Sequence, residues 1–219
     1  MQQQVVHRLG GHQAPLQVID TMPLPICKLA RRFQRRIFRT ESVLDGPRPT
    51  KGYCAAKKED YFGFKGGLRI TEYGLIVHAP LRQAYGHDST CRDALLTGVE
   101  ADIQVVGDSA FLDLERQQEL KEIYQIHLLT PIKSNMQPTP VRQSFTLPGW
   151  TRPIRRLIET VYAQRVERFH VQALKVRDAW HLNNLWVTKI LAHSICVWLN
   201  LRAHRNPLDF DGLVVFEKN

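Results

Sequence analysis

Zinc ligation, disulfide stapling and phosphate binding by a glycine loop all lack their sequence signatures in this chain. The four cysteines, Cys27, Cys54, Cys91 and Cys196, are widely dispersed, with no CxxC pair and no Cys/His spacing that reads as a zinc site. Such a set suits a reducing cytoplasm. No glycine-rich phosphate loop, internal repeat or low-complexity tract is present. The first eight residues lack the apolar stretch of a secretory signal. The segment 182–201 is interrupted by Asn183, Asn184, Lys189 and His193, so it reads as a buried helix, not a membrane span. Acidic residues are in the minority too: 21 Asp and Glu stand against 30 Lys and Arg, a formal charge of +9. That excess favours a polyanionic partner without identifying an enzyme.

What the chain does have is enough apolar residue, 43% of 219, to build one core. A single domain spanning 1–219 is the expectation, with a basic helical insertion near 27–39 and a helical extension from about residue 174. After a short strand at 17–20, Pro23 and Pro25 predict an extended or irregular path, and 27–38 reads as a helix. On it Arg31, Arg32, Arg35, Arg36 and Arg39 recur at helical spacing, a basic stripe that suits DNA contact or a solvated face. Residues 61–71 and 74–81 flank Glu72-Tyr73-Gly74 as an antiparallel hairpin, with Gly66-Gly67 predicting a bulge or a close backbone approach. A short helix near 88–96, a strand at 103–106, a helix at 112–123 and a strand at 126–129 follow. Prolines 131, 138, 140 and 148 mark an irregular connection, after which Ile154, Leu157, Ile158, Val161, Tyr162, Val166 and Phe169 form a helical core stripe. This order predicts an α/β fold, a ribonuclease H-like mixed sheet flanked by helices.

Three carboxylates stand out. Asp20 ends the apolar run Val18-Ile19, Asp108 ends Val105-Val106-Gly107, and Glu159 lies on a helix directly after Arg155-Arg156. If the two strands are neighbours, their carboxylates converge although 88 residues separate them. Glu159 would approach from the helix. Three hard oxygen ligands without a Cys or His cluster favour Mg²⁺, with Mn²⁺ as substitute, and two ions roughly 4 Å apart could serve an in-line phosphoryl displacement. The plainer reading of each is also open: an Asp after a strand is usually a turn or capping group, and Glu159, four residues after Arg155, is often half of a surface ion pair. Asp88, beside His87, is a rival carboxylate better suited to capping.

The words around these residues resemble the catalytic core of a bacterial insertion-sequence DDE transposase. They are Ile19-Asp20-Thr21-Met22-Pro23-Leu24-Pro25-Ile26-Cys27, Gly52-Tyr53-Cys54, Tyr61-Phe62-Gly63-Phe64-Lys65, Gly107-Asp108, Asn135-Met136 and Arg155-Arg156-Leu157-Ile158-Glu159-Thr160, in family order over about 17–170. The resemblance implies a ribonuclease H-like fold on which Asp20, Asp108 and Glu159 bind metal and catalyse phosphodiester cleavage and 3′-hydroxyl strand transfer. It implies phosphate contacts from Lys65, Arg155 and Arg156, and double-stranded transposon-end and target DNA as partners. It also implies a homodimer or larger synaptic assembly. The chain departs from the pattern at Ser109-Ala110-Phe111, where the family has Lys-Gly-Tyr, and at Gly66-Gly67, where Leu-His is familiar. Only 19 residues precede Asp20, so a shortened amino terminus is expected relative to a family with a helical DNA-binding segment there. Two other functions remain open: a general DNA nuclease or junction resolvase, and a catalytically degenerate DNA-binding remnant.

Overall fold

The computed structural model describes residues 1–29, 38, 48–54, 57–85, 88–132, 136–137, 139–149, 151–172 and 176–213. Among the described residues seven strands make one mixed sheet: β1 Leu16–Lys28, β2 Thr50–Cys54, β3 Glu59–Thr71, β4 Ile76–His78, β5 Leu81–Gln83, β6 Gln104–Val106 and β7 His127–Leu129. The main order is β2-β3-β1-β6-β7, and β4 and β5 also pair with β3. β1, β6 and β7 run parallel, while β3 is antiparallel to β1 and to β2, β4 and β5. The helices are α1 Gln2–Arg8, α2 Arg92–Leu96, α3 Leu114–Tyr124, α4 Pro140–Ser144, α5 Thr151–Glu167 and α6 Ala179–Arg202. A curled mixed sheet of this order, flanked by helices, is the ribonuclease H-like arrangement.

Alternation along β1 sorts the core into two layers. Val18, Met22 and Leu24 face α5 and α6 with Val106, Phe64, Ile158, Val161 and Trp186. Ile19 faces the other way, packing with Val105, Phe111, Leu95, Leu120 and Leu128. The hairpin expected around Glu72-Tyr73-Gly74 is present as β3 and β4, with Gly74 at φ +86°, a conformation that favours glycine.

β1 corrects one expectation. It does not end at Asp20 but continues through Pro23 and Pro25 to Lys28, so Asp20 lies within a strand, and Cys27 and Lys28 end it instead of opening a helix. Pro23 lies opposite Lys65 and Pro25 opposite Gly63. Both share the parity of Pro15, whose carbonyl accepts from Gln104 N at 3.0 Å, so their missing N–H groups lie on the side of β1 that faces β6. β6 ends at Val106, level with Val18. No ladder bond is therefore lost at either proline. The arginines of the expected helix, Arg31, Arg32, Arg35, Arg36 and Arg39, lie outside the described residues.

The glycine pair makes a close approach, not a bulge; the irregularity of β3 against β4 falls between Arg69 and Ile70. A Cβ on Gly66 would stand 2.5 Å from Trp186 Cη2, and one on Gly67 2.7 Å from Leu95 Cδ2. Helices thus press on β3 from both faces at adjacent residues.

Candidate active site

Asp108 lies two residues past the carboxyl end of β6, and the register of the two parallel strands, continued by two residues, sets it level with Asp20 inside the longer β1. Val18 pairs with Val106, and a Cβ on Gly107 would lie 3.4 Å from Ile19 Cγ1, so the register carries on to Asp20 beside Asp108. Asp108 itself is extended, with φ −81° and ψ 179°. Adjacent strands hold their backbones about 4.8 Å apart. By alternation Asp20 shares the face of Val18 and Met22, and Asp108 that of Val106. Both therefore look toward the layer occupied by α5.

The local bonds orient each carboxylate. Asp20 Oδ1 accepts from Thr21 N at 2.7 Å. Asp108 Oδ1 accepts from Ala110 N at 2.9 Å and caps a 3₁₀ turn over Ser109–Phe111, which leaves Oδ2 without a partner among the described residues. Asp108 is thus a capping residue as well as a strand-end carboxylate. Leu129 O accepts from Gly107 N at 3.0 Å, so β7 steadies the approach to it. Phe111, at the position of the family's tyrosine, is fully buried between β6 and α3, so it anchors the turn but brings no hydroxyl. Ser109 brings no charge.

Glu159 stands on α5 next to Ile158, which is buried against the sheet, and is itself exposed. Arg155 and Arg156, one turn before it, are exposed as well. Glu159 makes no ion pair among the described residues, so it is not spent on Arg155. Among the described residues no three His, Cys, Asp or Glu side chains are gathered closely enough to hold one metal ion. The sheet brings Asp20 and Asp108 together; Glu159 stands on the helix packed over β1. Carboxylate oxygens such as these are hard donors, chemically suited to a divalent cation.

Lys65 is not on this face. It lies opposite Pro23 and directly beside Arg82 of β5, and alternation turns it toward the α2 layer. Asp88 opens the 3₁₀ turn that leads into α2.

Several positioning residues carry no sequence signal of their own. Arg69, 1% exposed, reaches from β3 to the carboxyl end of α2, where Nη1 donates to Leu95 O at 3.0 Å and Thr97 O at 3.1 Å. Burial lowers its pKa to about 10, so it stays charged at neutral pH and complements the negative helix end. Gln117 Nε2 ties α3 to β7 through Leu128 O at 2.9 Å. Lys189 Nζ holds the carbonyls of Phe169 and His170, just past α5, at 2.5 and 2.7 Å.

No helix among the described residues is long and apolar enough to cross a membrane. The profile of the family described as a transposase DDE domain matches residues 10–177, a span that contains Asp20, Asp108 and Glu159. Comparison with curated proteins and with solved structures gives no match.

Proposed function

Because the chain belongs to the transposase DDE domain family, we propose that it is a DNA transposase whose Asp20, Asp108 and Glu159 bind Mg²⁺, with Mn²⁺ as substitute and two ions during catalysis. The observation that supports this reading is the parallel register of β1 and β6, with Val18 opposite Val106, which continued by two residues sets Asp20 beside Asp108. Members of this family act on DNA with divalent metal ions. Bound there, the ions would polarise the scissile phosphate and lower the barrier to attack by water and then by the 3′-hydroxyl.

The chain's own residues supply position. The strand pair holds two carboxylates one strand spacing apart, so a cation is required to relieve their repulsion. The Thr21 and Ala110 amides fix the Oδ1 oxygens. Glu159 completes the ligand set from α5, and Arg155 and Arg156 on the exposed side of the same helix meet the phosphate backbone flanking the break. Arg31, Arg32, Arg35, Arg36, Arg39 and Lys65 extend that contact. Lys65 does so from the opposite sheet face, where it would meet a different stretch of DNA from the one at the carboxylates. Pairing of two transposon ends calls for a homodimer or larger assembly.

The test is strand transfer with precut transposon ends, matched and scrambled, in Mg²⁺ and Mn²⁺. Joining of matched ends is expected, and Asp108→Asn should lower it at least roughly a hundredfold, about 2.7 kcal/mol of barrier, with nonspecific DNA affinity kept. Cleavage without joining would favour a nuclease. A folded, DNA-bound but inert protein would favour a degenerate core, and undiminished joining by Asp108→Asn would remove Asp108 from the site.

A further inference from the structure

The layer between α5 and α6 encloses a cation whose donors are all unspent. Arg165, six residues past Glu159 on α5, is 0% exposed, and its Nε, Nη1 and Nη2 have no hydrogen-bond partner among the described residues. Its Cζ lies 4.1 Å from the Trp186 ring centroid. This cation–π contact offers the guanidinium N–H groups no oxygen or nitrogen acceptor. On α6, seven residues beyond Trp186, His193 is equally enclosed, and both of its ring nitrogens lack partners. Ser194 Oγ, the next residue, is buried without one as well. Lys189, between Trp186 and His193, spends its ammonium on the Phe169 and His170 carbonyls.

No carboxylate among the described residues pairs with this cluster. Burial brings Arg165 down to about 10, which keeps it charged at neutral pH. Burial, and then the field of Arg165, push His193 down to about 3, so the imidazole is neutral. An enclosed cation with every donor idle is among the least favourable arrangements a core can hold, unless an anion meets it.

We infer that the layer between α5 and α6 is a binding site for one small inorganic anion of the halide class, held by the guanidinium of Arg165. Enclosure sets the class of ligand: a DNA phosphate tethered to its chain has no path to a group with no exposed surface, which leaves a small untethered ion as the partner for the N–H fork. The anion joins α5 to α6 at the stretch where Trp186 already bridges to β3, and so steadies the helix that bears Glu159. The inference does not rest on the transposase reading.

Thermal unfolding of the full chain, with sodium gluconate exchanged for sodium chloride at constant ionic strength, reads the site directly. Saturating stabilisation by chloride is expected, a rise of roughly 5–10 °C at a hundredfold excess over the dissociation constant. Arg165→Leu should be flat in the same exchange and more stable than the parent in gluconate. A bromide-soaked crystal of the unaltered protein should show an anomalous peak in the plane of the Arg165 guanidinium. That measurement decides the matter alone if the variant does not fold. No chloride response in the parent, equal responses in parent and variant, or bromide peaks on the surface alone, an adventitious ion only, would each overturn the inference.

Discussion

Adding one methyl group at Gly66 tests how α6 supports the strand beside Asp20. The new Cβ would stand 2.5 Å from Trp186 Cη2 and 2.8 Å from Leu24 Cδ1. Carbon contacts settle near 3.5 Å or beyond, so the indole must retreat by about 1 Å. It has little freedom to do so: Trp186 is 2% exposed, its Nε1 donates to Ala79 O at 2.8 Å, and Arg165 covers its face. Overpacking of this kind costs about 1–3 kcal/mol, and the lost chain entropy of glycine in the unfolded state returns roughly 0.5–1. Gly66→Ala should therefore destabilise by about 1–2 kcal/mol, a fall in Tm of roughly 2–8 °C. Trp186→Leu alone will cost more, about 2–4 kcal/mol, by removing aromatic surface and its bond. On that background the alanine should be close to neutral. The assay is a double-mutant cycle by urea unfolding, where the coupling should be about 1–2 kcal/mol. Additive costs, within roughly 0.5 kcal/mol, would refute the contact as the reason for glycine here.

Acid should weaken the fold through His193, whose folded pKa of about 3 lies below its unfolded value near 6.5. The native state then binds fewer protons, so its contribution is whole above pH 6.5 and is lost as pH falls from 6.5 toward 3. At pH 5 the loss is about 2 kcal/mol, and His193→Leu should flatten that part of a stability–pH curve; an unchanged curve would place the acid sensitivity elsewhere. Replacing Arg155 and Arg156 by Gln should lower the slope of log affinity against log salt by roughly 2, one unit per lost phosphate contact, and a constant slope would remove them from the DNA interface. Arg69→Met should cost about 2–4 kcal/mol, because the carbonyls at the end of α2 lose a charged donor, with faster hydrogen exchange in α2 than in β7. Equal acceleration everywhere would mean that Arg69 does not act on α2 in particular.

The parts of this molecule legible in the sequence are those set by local pattern. Asp20 and Asp108 were identifiable because each ends an apolar run. The α5 stripe from Ile154 to Val166 was identifiable because its period is helical. Their alignment was conditional on strands 88 residues apart becoming neighbours, and no local pattern decides that. β2 escaped notice because Lys51-Gly52-Tyr53 has no apolar alternation; its buried side rests on Gly52 and Cys54 against Tyr61 and Ala84. The prolines of β1 suggested a break because a sequence does not display which edge of a strand its N–H groups face. Lys65 matched a motif, yet only the pleat reveals that it faces away from the carboxylates. Arg69 and Arg165 look like two more surface cations in a basic chain, and long-range burial alone distinguishes them.

Past Val18, β1 has a side that no described strand covers, an open edge running on from Ile19 toward Lys28. Exposed edges invite strand addition by neighbouring chains, and with it aggregation. Here Pro23 and Pro25 remove two donors from that edge, Thr21 N is taken by Asp20 Oδ1, and Gln172 Nε2 meets the Pro23 carbonyl at 3.4 Å. A second strand approaching from that side would find gaps where a ladder needs hydrogen, so this stretch of the sheet resists extension by a neighbour.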